Sequence, residues 1–252
     1  MVDCDDFQDG SEFIQKGGQK GKQRGILTEG TYRINTELFR VRTVPITYIS
    51  SEEIGLVETE DGKPLEQGEN LARKVDCNNF QDAQAFFDNG GQAGKQLATL
   101  RAGKYYINTD IFKIKKVSVT RISSGEIGLV EAKYRKYLEQ GKNFANKVDC
   151  NNFQDTQAFF DNGGQAGKQL AILETGTYYI NPEIFNIRTV PIIRIPKGEI
   201  GLVIANEGAS KSYEQTLGKV VECYNFQDAE AFLKNGGQKG KQCKLNQFIR
   251  GI

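Results

Sequence analysis

The residues best equipped for chemistry in this chain are four cysteines, Cys4, Cys77, Cys150 and Cys223, each 73 positions after the one before. A thiol can act as a nucleophile, bind a metal or form a disulfide, and each role needs partners. Histidine is absent from the sequence. That removes the commonest general base, the usual activator of a Ser or Cys nucleophile, and the commonest transition-metal ligand. One thiol per period, with no Cys-x-x-Cys, cannot make a four-ligand zinc site within a period. Disulfides are not indicated, because the cysteines number 5 and equivalent positions in adjacent periods are expected to lie too far apart. The expected role is therefore a small buried core residue at the start of a helix. Cys243 breaks the spacing and stands where earlier periods have Leu97 and Leu170.

Three other groups invite a chemical reading. Gly90-Gly91-Gln92-Ala93-Gly94-Lys95-Gln96 superficially resembles a phosphate loop. Asn89 stands where the first glycine of that motif belongs and Gln96 where its hydroxyl belongs, and the order runs helix to strand. A helix C-cap and loop is the better reading. Asp3, Asp5, Asp6 and Asp9 crowd the start of the chain without the alternation of a calcium loop, and read as a solvated, helix-capping cluster. Tyr105-Tyr106 and Tyr178-Tyr179 could stack on bases, but no basic stripe lies beside them and the net charge is only +1. In a strand, one ring of each pair faces the core and the other faces solvent. No cofactor, metal or nucleic acid is expected, and no catalysis.

The elements that carry these residues repeat with them. Phe7, Phe80, Phe153 and Phe226 keep the 73-residue interval, as do Gly55, Gly128 and Gly201. A residue found in every period at one spacing serves the unit fold before any single active site. The periods run 1–76, 77–149 and 150–222, with a partial fourth at 223–252. Hydrophobic residues make up 38% of the chain and glycines number 28, a composition for small cores and many turns. A unit of this size is marginal alone, so contacts between units matter.

Within the second period, Asn79 to Gly91 reads as a short amphipathic helix with Asn79 as N-cap and Gly90 as its left-handed stop. Phe80, Ala83, Phe86 and Phe87 share one stripe. The phenylalanines Phe80, Phe86, Phe153, Phe159, Phe226 and Phe232 are accordingly expected, with the four cysteines, to form the repeated core. Leu97–Leu100 and Lys104–Ile107 read as strands flanking a hairpin loop, Arg101-Ala102-Gly103. A longer strand from Phe112 to Ile122 shifts phase near Ser118, where other periods have Pro45 and Pro191, which predicts a bulge or a change of sheet. Pro196-Lys197-Gly198-Glu199 reads as a tight turn followed by the strand Ile200–Ile204. Gly55, Gly128, Gly198 and Gly201 are assigned to this turn region. A polar, solvated loop closes each period.

The phrases Ile195-Pro196-Lys197-Gly198-Glu199-Ile200-Gly201-Leu202-Val203, Cys223-Tyr224-Asn225-Phe226-Gln227-Asp228-Ala229, Asn235-Gly236-Gly237-Gln238 and Gly176-Thr177-Tyr178-Tyr179-Ile180-Asn181-Pro182 together resemble the N-terminal β-rich part of bacterial SPFH proteins, the stomatin, prohibitin and flotillin group. The resemblance spans essentially the whole unit in each period. It implies an oligomeric, often membrane-linked scaffold without catalysis. The chain departs from that group in having no transmembrane or hydrophobic hairpin and no long coiled coil, and in multiplying one module.

The expected fold is α+β: a tandem array of mainly antiparallel β modules, each with one short helix, stacked head to tail. The expected function is structural: self-assembly into a filament, tube or shell. The alternative is an SPFH-like scaffold or adaptor associated with a membrane or other partners. The partner expected first is a second copy of the chain, with residues 223–252 of one docking on residues 2–50 of the next by strand addition. No signal peptide or apolar run of membrane-spanning length is visible, which leaves an extracellular filament and a cytoplasmic assembly both open.

Overall fold

A computed structural model of the protein describes residues 4–134, 138 and 143–240. The helices α1 (Gly10–Gln15), α2 (Ala83–Asp88), α3 (Thr156–Asp161) and α4 (Ala229–Lys234) are each 6 residues long. The strands are β1 (Thr47–Ile49), β2 (Glu53–Thr59), β3 (Gly94–Leu100), β4 (Gly103–Tyr105), β5 (Phe112–Ser118), β6 (Thr120–Ile122), β7 (Glu126–Ala132), β8 (Phe144–Ala145), β9 (Gly167–Leu173), β10 (Gly176–Tyr178) and β11 (Phe185–Pro191). The class is mixed α+β, with several small, mainly antiparallel sheets and short helices. Among the described residues, no helix is long and apolar enough to cross a membrane.

The chain divides into two compact units. The first comprises Met1–Arg121, Asp149–Asn162 and Thr177–Ile184, and the second Ile122–Val148, Gly163–Gly176 and Phe185–Ile252. In the first, β2 lies between β3 and β5, antiparallel to both, and β1 pairs with β4. In the second, β7 lies between β9 and β11 in the same way, and β8 adds to β9 in parallel. Each central strand thus comes from one sequence period and its two flanking strands from the next. A bulge recurs at the same place, between Leu56 and Glu58 and between Leu129 and Glu131.

Helix onset differs from the sequence expectation. The N-cap of α2 is Asp82, not Asn79, and its side chain accepts a hydrogen bond from Ala85 N–H at 2.9 Å. The reason lies upstream: Asn78, Asn79 and Phe80 all have positive φ, so no right-handed turn can begin there. Gly90, with φ of 81°, ends the helix as read from the sequence. The hairpin expected around Arg101–Gly103 does not form. β3 pairs with β2 and β4 with β1, so the short connection is a corner between sheets. The shift near Ser118 is the expected change of sheet: β5 joins the β2 sheet, β6 pairs with β10, and buried Val119 between them donates its N–H to Glu52 O at 3.0 Å.

In the first unit, the core gathers Ile49, Val57, Phe80, Phe86, Leu100 and Phe112. The Phe86 and Phe112 rings meet edge to face at 5.1 Å, an arrangement that adds to the area they remove from water. A six-residue helix has no stability of its own, so α2 exists because this stripe is covered.

Candidate functional site

The repeated signature turns the chain ahead of each short helix. Asp5-Asp6-Phe7, Asn78-Asn79-Phe80, Asn151-Asn152-Phe153 and Tyr224-Asn225-Phe226 each hold three successive residues at φ between 47° and 63°. Such a left-handed run is costly for non-glycine residues, at about 1 kcal/mol each, so something must over-determine it. The Asp82 N–H donates across the run to Cys77 O at 3.1 Å, and the Phe80 ring is buried. Asn89 Nδ2 donates to Asp76 O at 2.6 Å, tying the helix end to the segment before the run, and Asn162 does the same to Asp149 O at 2.6 Å.

Cys4, Cys77, Cys150 and Cys223 are all buried and free. Burial pushes the Cys77 and Cys150 thiols up, while the backbone N–H groups of Phe80 and Phe153, aimed at the sulfurs, pull the other way. A thiol held protonated is the reverse of what a nucleophile requires. Because the folded value of Cys150 lies above the ordinary 9.0, its contribution to stability is fully present below that value and is lost as pH rises through the folded value. Cys150→Ser is expected to cost about 1–2 kcal/mol at neutral pH through burial of a more polar hydroxyl. Thermal melts of parent and variant should converge as pH climbs past 9.0. A difference independent of pH would reject the assignment.

Phe86 and Phe159 are fully buried, and Phe80 and Phe153 nearly so. The fourth period differs: Phe226 is 57% exposed, Phe232 is half-buried, and α4 buries no residue. Gly55 and Gly128 lie inside β2 and β7, not in a turn. A Cβ at Gly55 would meet Ile49 and Leu100 at 3.1 Å, so the glycine permits close packing. Gly198 is the turn residue, at φ of 87°, with Glu199 N–H donating to Pro196 O at 3.2 Å. Gly201 lies beyond that turn, in a segment without strand structure. Cys243, Asp3 and the end of the chain from 241 lie outside the described residues.

Sequence reasoning missed two sets of three glutamines, although their 73-residue recurrence was the available signal. Gln23, Gln96 and Gln169 each fold back to donate from Nε2 to two carbonyls of the preceding loop, Gln96 to Gln92 O and Gly94 O at 2.8 and 2.9 Å. The supposed phosphate loop thus closes on itself. Gln8, Gln81 and Gln154 accept from the backbone N–H of Arg33, Tyr106 and Tyr179 at 3.0, 3.0 and 3.1 Å. Of the acidic cluster, Asp9 caps α1, accepting from Glu12 N–H at 2.8 Å. Tyr105 is half-buried, with its hydroxyl donating to Arg101 O at 2.9 Å, and Tyr106 is the more exposed of that pair. Tyr179 lies under the Arg101 guanidinium, 4.5 Å from the ring centre.

One ion pair also recurs. Lys95 reaches Glu183 at 2.8 Å, and one period earlier Lys22 faces Asp110 at 3.7 Å. Each joins a lysine of one period to an acid of the next. Among the described residues, no group of three or more His, Cys, Asp and Glu side chains converges as metal ligands would.

The geometry therefore defines an α+β protein whose signature residues hold turns, helix ends and sheet edges. No protein-family model, curated protein or solved structure matches the chain.

Proposed function

We propose that this protein is a non-catalytic structural subunit, a tandem array of β-rich modules that assembles head to tail into a filament, tube or shell. The observation that carries the reading is the interlocking of periods. β2 is the central strand of a sheet whose flanking strands β3 and β5 belong to the following period, and β7 repeats this with β9 and β11. A module made this way is completed only by a neighbouring period, and a neighbour can be supplied by another chain as well as by the same one. The proposed contact joins residues 223–252 of one subunit to residues 2–50 of the next by strand addition. The resemblance to SPFH modules supports the same reading, since that group builds oligomeric scaffolds.

Sedimentation over rising protein concentration, with negative-stain imaging, tests this. Regular polymers that lengthen with concentration are expected. Discrete particles of single-chain mass at every concentration would reject the proposal.

A further inference from the structure

An asparagine followed by glycine is the pair most open to reaction of the chain with itself, and it recurs here at the 73-residue interval. Asn89-Gly90, Asn162-Gly163 and Asn235-Gly236 stand at the ends of α2, α3 and α4, with the asparagine as C-cap in each. The first period has Lys16-Gly17 at that place. Glycine has no Cβ, so nothing shields its nitrogen from the side-chain carbonyl carbon of the asparagine before it.

In the folded chain the reacting groups are already committed. The side-chain amides of Asn89, Asn162 and Asn235 donate to the carbonyl oxygens of Asp76, Asp149 and Glu222 at 2.6, 2.6 and 2.7 Å. Gly90 N–H donates to Phe87 O at 3.1 Å, and Gly236 N–H to Leu233 O at 3.2 Å. All three asparagines are nevertheless exposed, so water reaches them once these bonds open. The bonds close the last turn of short helices, the part of a helix that frays first.

We infer that Asn89, Asn162 and Asn235 are sites of spontaneous deamidation, gated by the helix end, and that conversion releases the tie each one makes. When the end of α2 opens, the nitrogen of Gly90 attacks Cγ of Asn89. The new C–N bond closes a cyclic imide, the Cγ–Nδ2 bond breaks, and the proton lost by Gly90 leaves with Nδ2 as ammonia. Water then adds to either imide carbonyl, leaving aspartate or isoaspartate. The step consumes water, releases ammonia and involves no change of oxidation state. The sites lie within one chain and operate whether or not it assembles.

The product cannot remake the bond. An ionised carboxylate only accepts hydrogen bonds, so at position 89 it sets an acceptor against Asp76 O where Nδ2 now donates. Isoaspartate also lengthens the backbone by a methylene, directly before the turn that Gly90 makes at φ of 81°. The tie joins the end of α2 to the segment ahead of the left-handed run at 78–80, so both lose a restraint together. Because the reaction runs one way, each site accumulates a record of how often its helix end has opened.

The test incubates the full chain at neutral pH, in buffer and in denaturant, followed by peptide mass mapping and enzymatic detection of isoaspartate. In denaturant, Asn89, Asn162 and Asn235 should convert well ahead of Asn78 and Asn151, whose following residues carry side chains. In buffer the same three sites should convert at least about tenfold more slowly, the ratio reporting how seldom the helix end is open. Asn89→Asp should lower the folding equilibrium constant about threefold or more beyond Asn89→Ala, since alanine removes a donor whereas aspartate opposes an acceptor. Equal rates in buffer and denaturant would overturn the gating, and conversion no faster than at Asn78 and Asn151 would overturn the sites. An Asn89→Asp variant as stable as the parent would overturn the release of the tie.

Discussion

Phe86→Ala lowers the stability of the first unit by about 3–5 kcal/mol, the range for truncating a buried aromatic where the surroundings cannot collapse. The ring is fully buried and touches three others, Phe80 at 6.2 Å, Phe87 at 5.3 Å and Phe112 at 5.1 Å between centroids. Those neighbours are fixed by separate elements: Phe80 by the left-handed run, Phe87 by α2 and Phe112 by β5. None can move into the space without breaking its own backbone hydrogen bonds, so the cavity stays. The docked face of α2 is what keeps six residues helical, so its loss releases the helix as well. Denaturant or thermal unfolding measures the effect, and a transition matching the parent within a degree or two would show that Phe86 is not core.

Gly91→Ala is expected to cost about 1–3 kcal/mol, although a methyl group is the smallest possible addition. A Cβ at Gly91 would lie 2.5–2.6 Å from three atoms of the Phe86 ring. The ring cannot retreat, being held edge to face against Phe112. The same contact recurs between Gly18 and Phe13, and between Gly237 and Phe232. Because the loss is a clash with one side chain, Phe86→Leu should relieve part of it. The double variant is expected to lose less than the two single losses together, with coupling of about 0.5 kcal/mol or more. Strict additivity would show that the glycine is required for another reason. The adjacent glycine is a useful contrast: Gly163, the equivalent of Gly90, has nothing within 4 Å of a would-be Cβ but a φ of 80°. Gly163→Ala should therefore be penalised through the backbone alone, and no change to a phenylalanine should rescue it.

Much of the local structure was legible in the sequence because it depends on neighbours in the chain. The 73-residue spacing of Cys4, Cys77, Cys150 and Cys223 marked the period, the Phe80/Phe86 stripe marked a buried helix face, and Gly90 and Gly198 marked left-handed stops. The phase shift at Ser118 announced a strand changing sheets, since side-chain alternation cannot slip by one residue without moving to the other face. The onset of α2 was misplaced because Asn79 is a good cap by type. Its left-handed φ belongs to a run closed by the Asp82 N–H donating to Cys77 O and by burial of the Phe80 ring, which residue preference does not contain.

Strand pairing was decided only by the tertiary structure. Arg101-Ala102-Gly103 has the composition of a hairpin loop, yet β3 finds β2 and β4 finds β1, partners tens of residues away. A strand satisfies its backbone groups on whichever edge is available, and the sequence of one strand does not name that edge. The segments 39–45 and 185–191 make the point within one molecule. With nearly the same residues, the second is a strand because β7 lies beside it, and the first, with no strand beside it among the described residues, is not. Period, caps and apolar faces were set by the sequence alone. Which edge each strand occupies followed from the fold, because a β-strand is completed by hydrogen bonds that only another segment can supply.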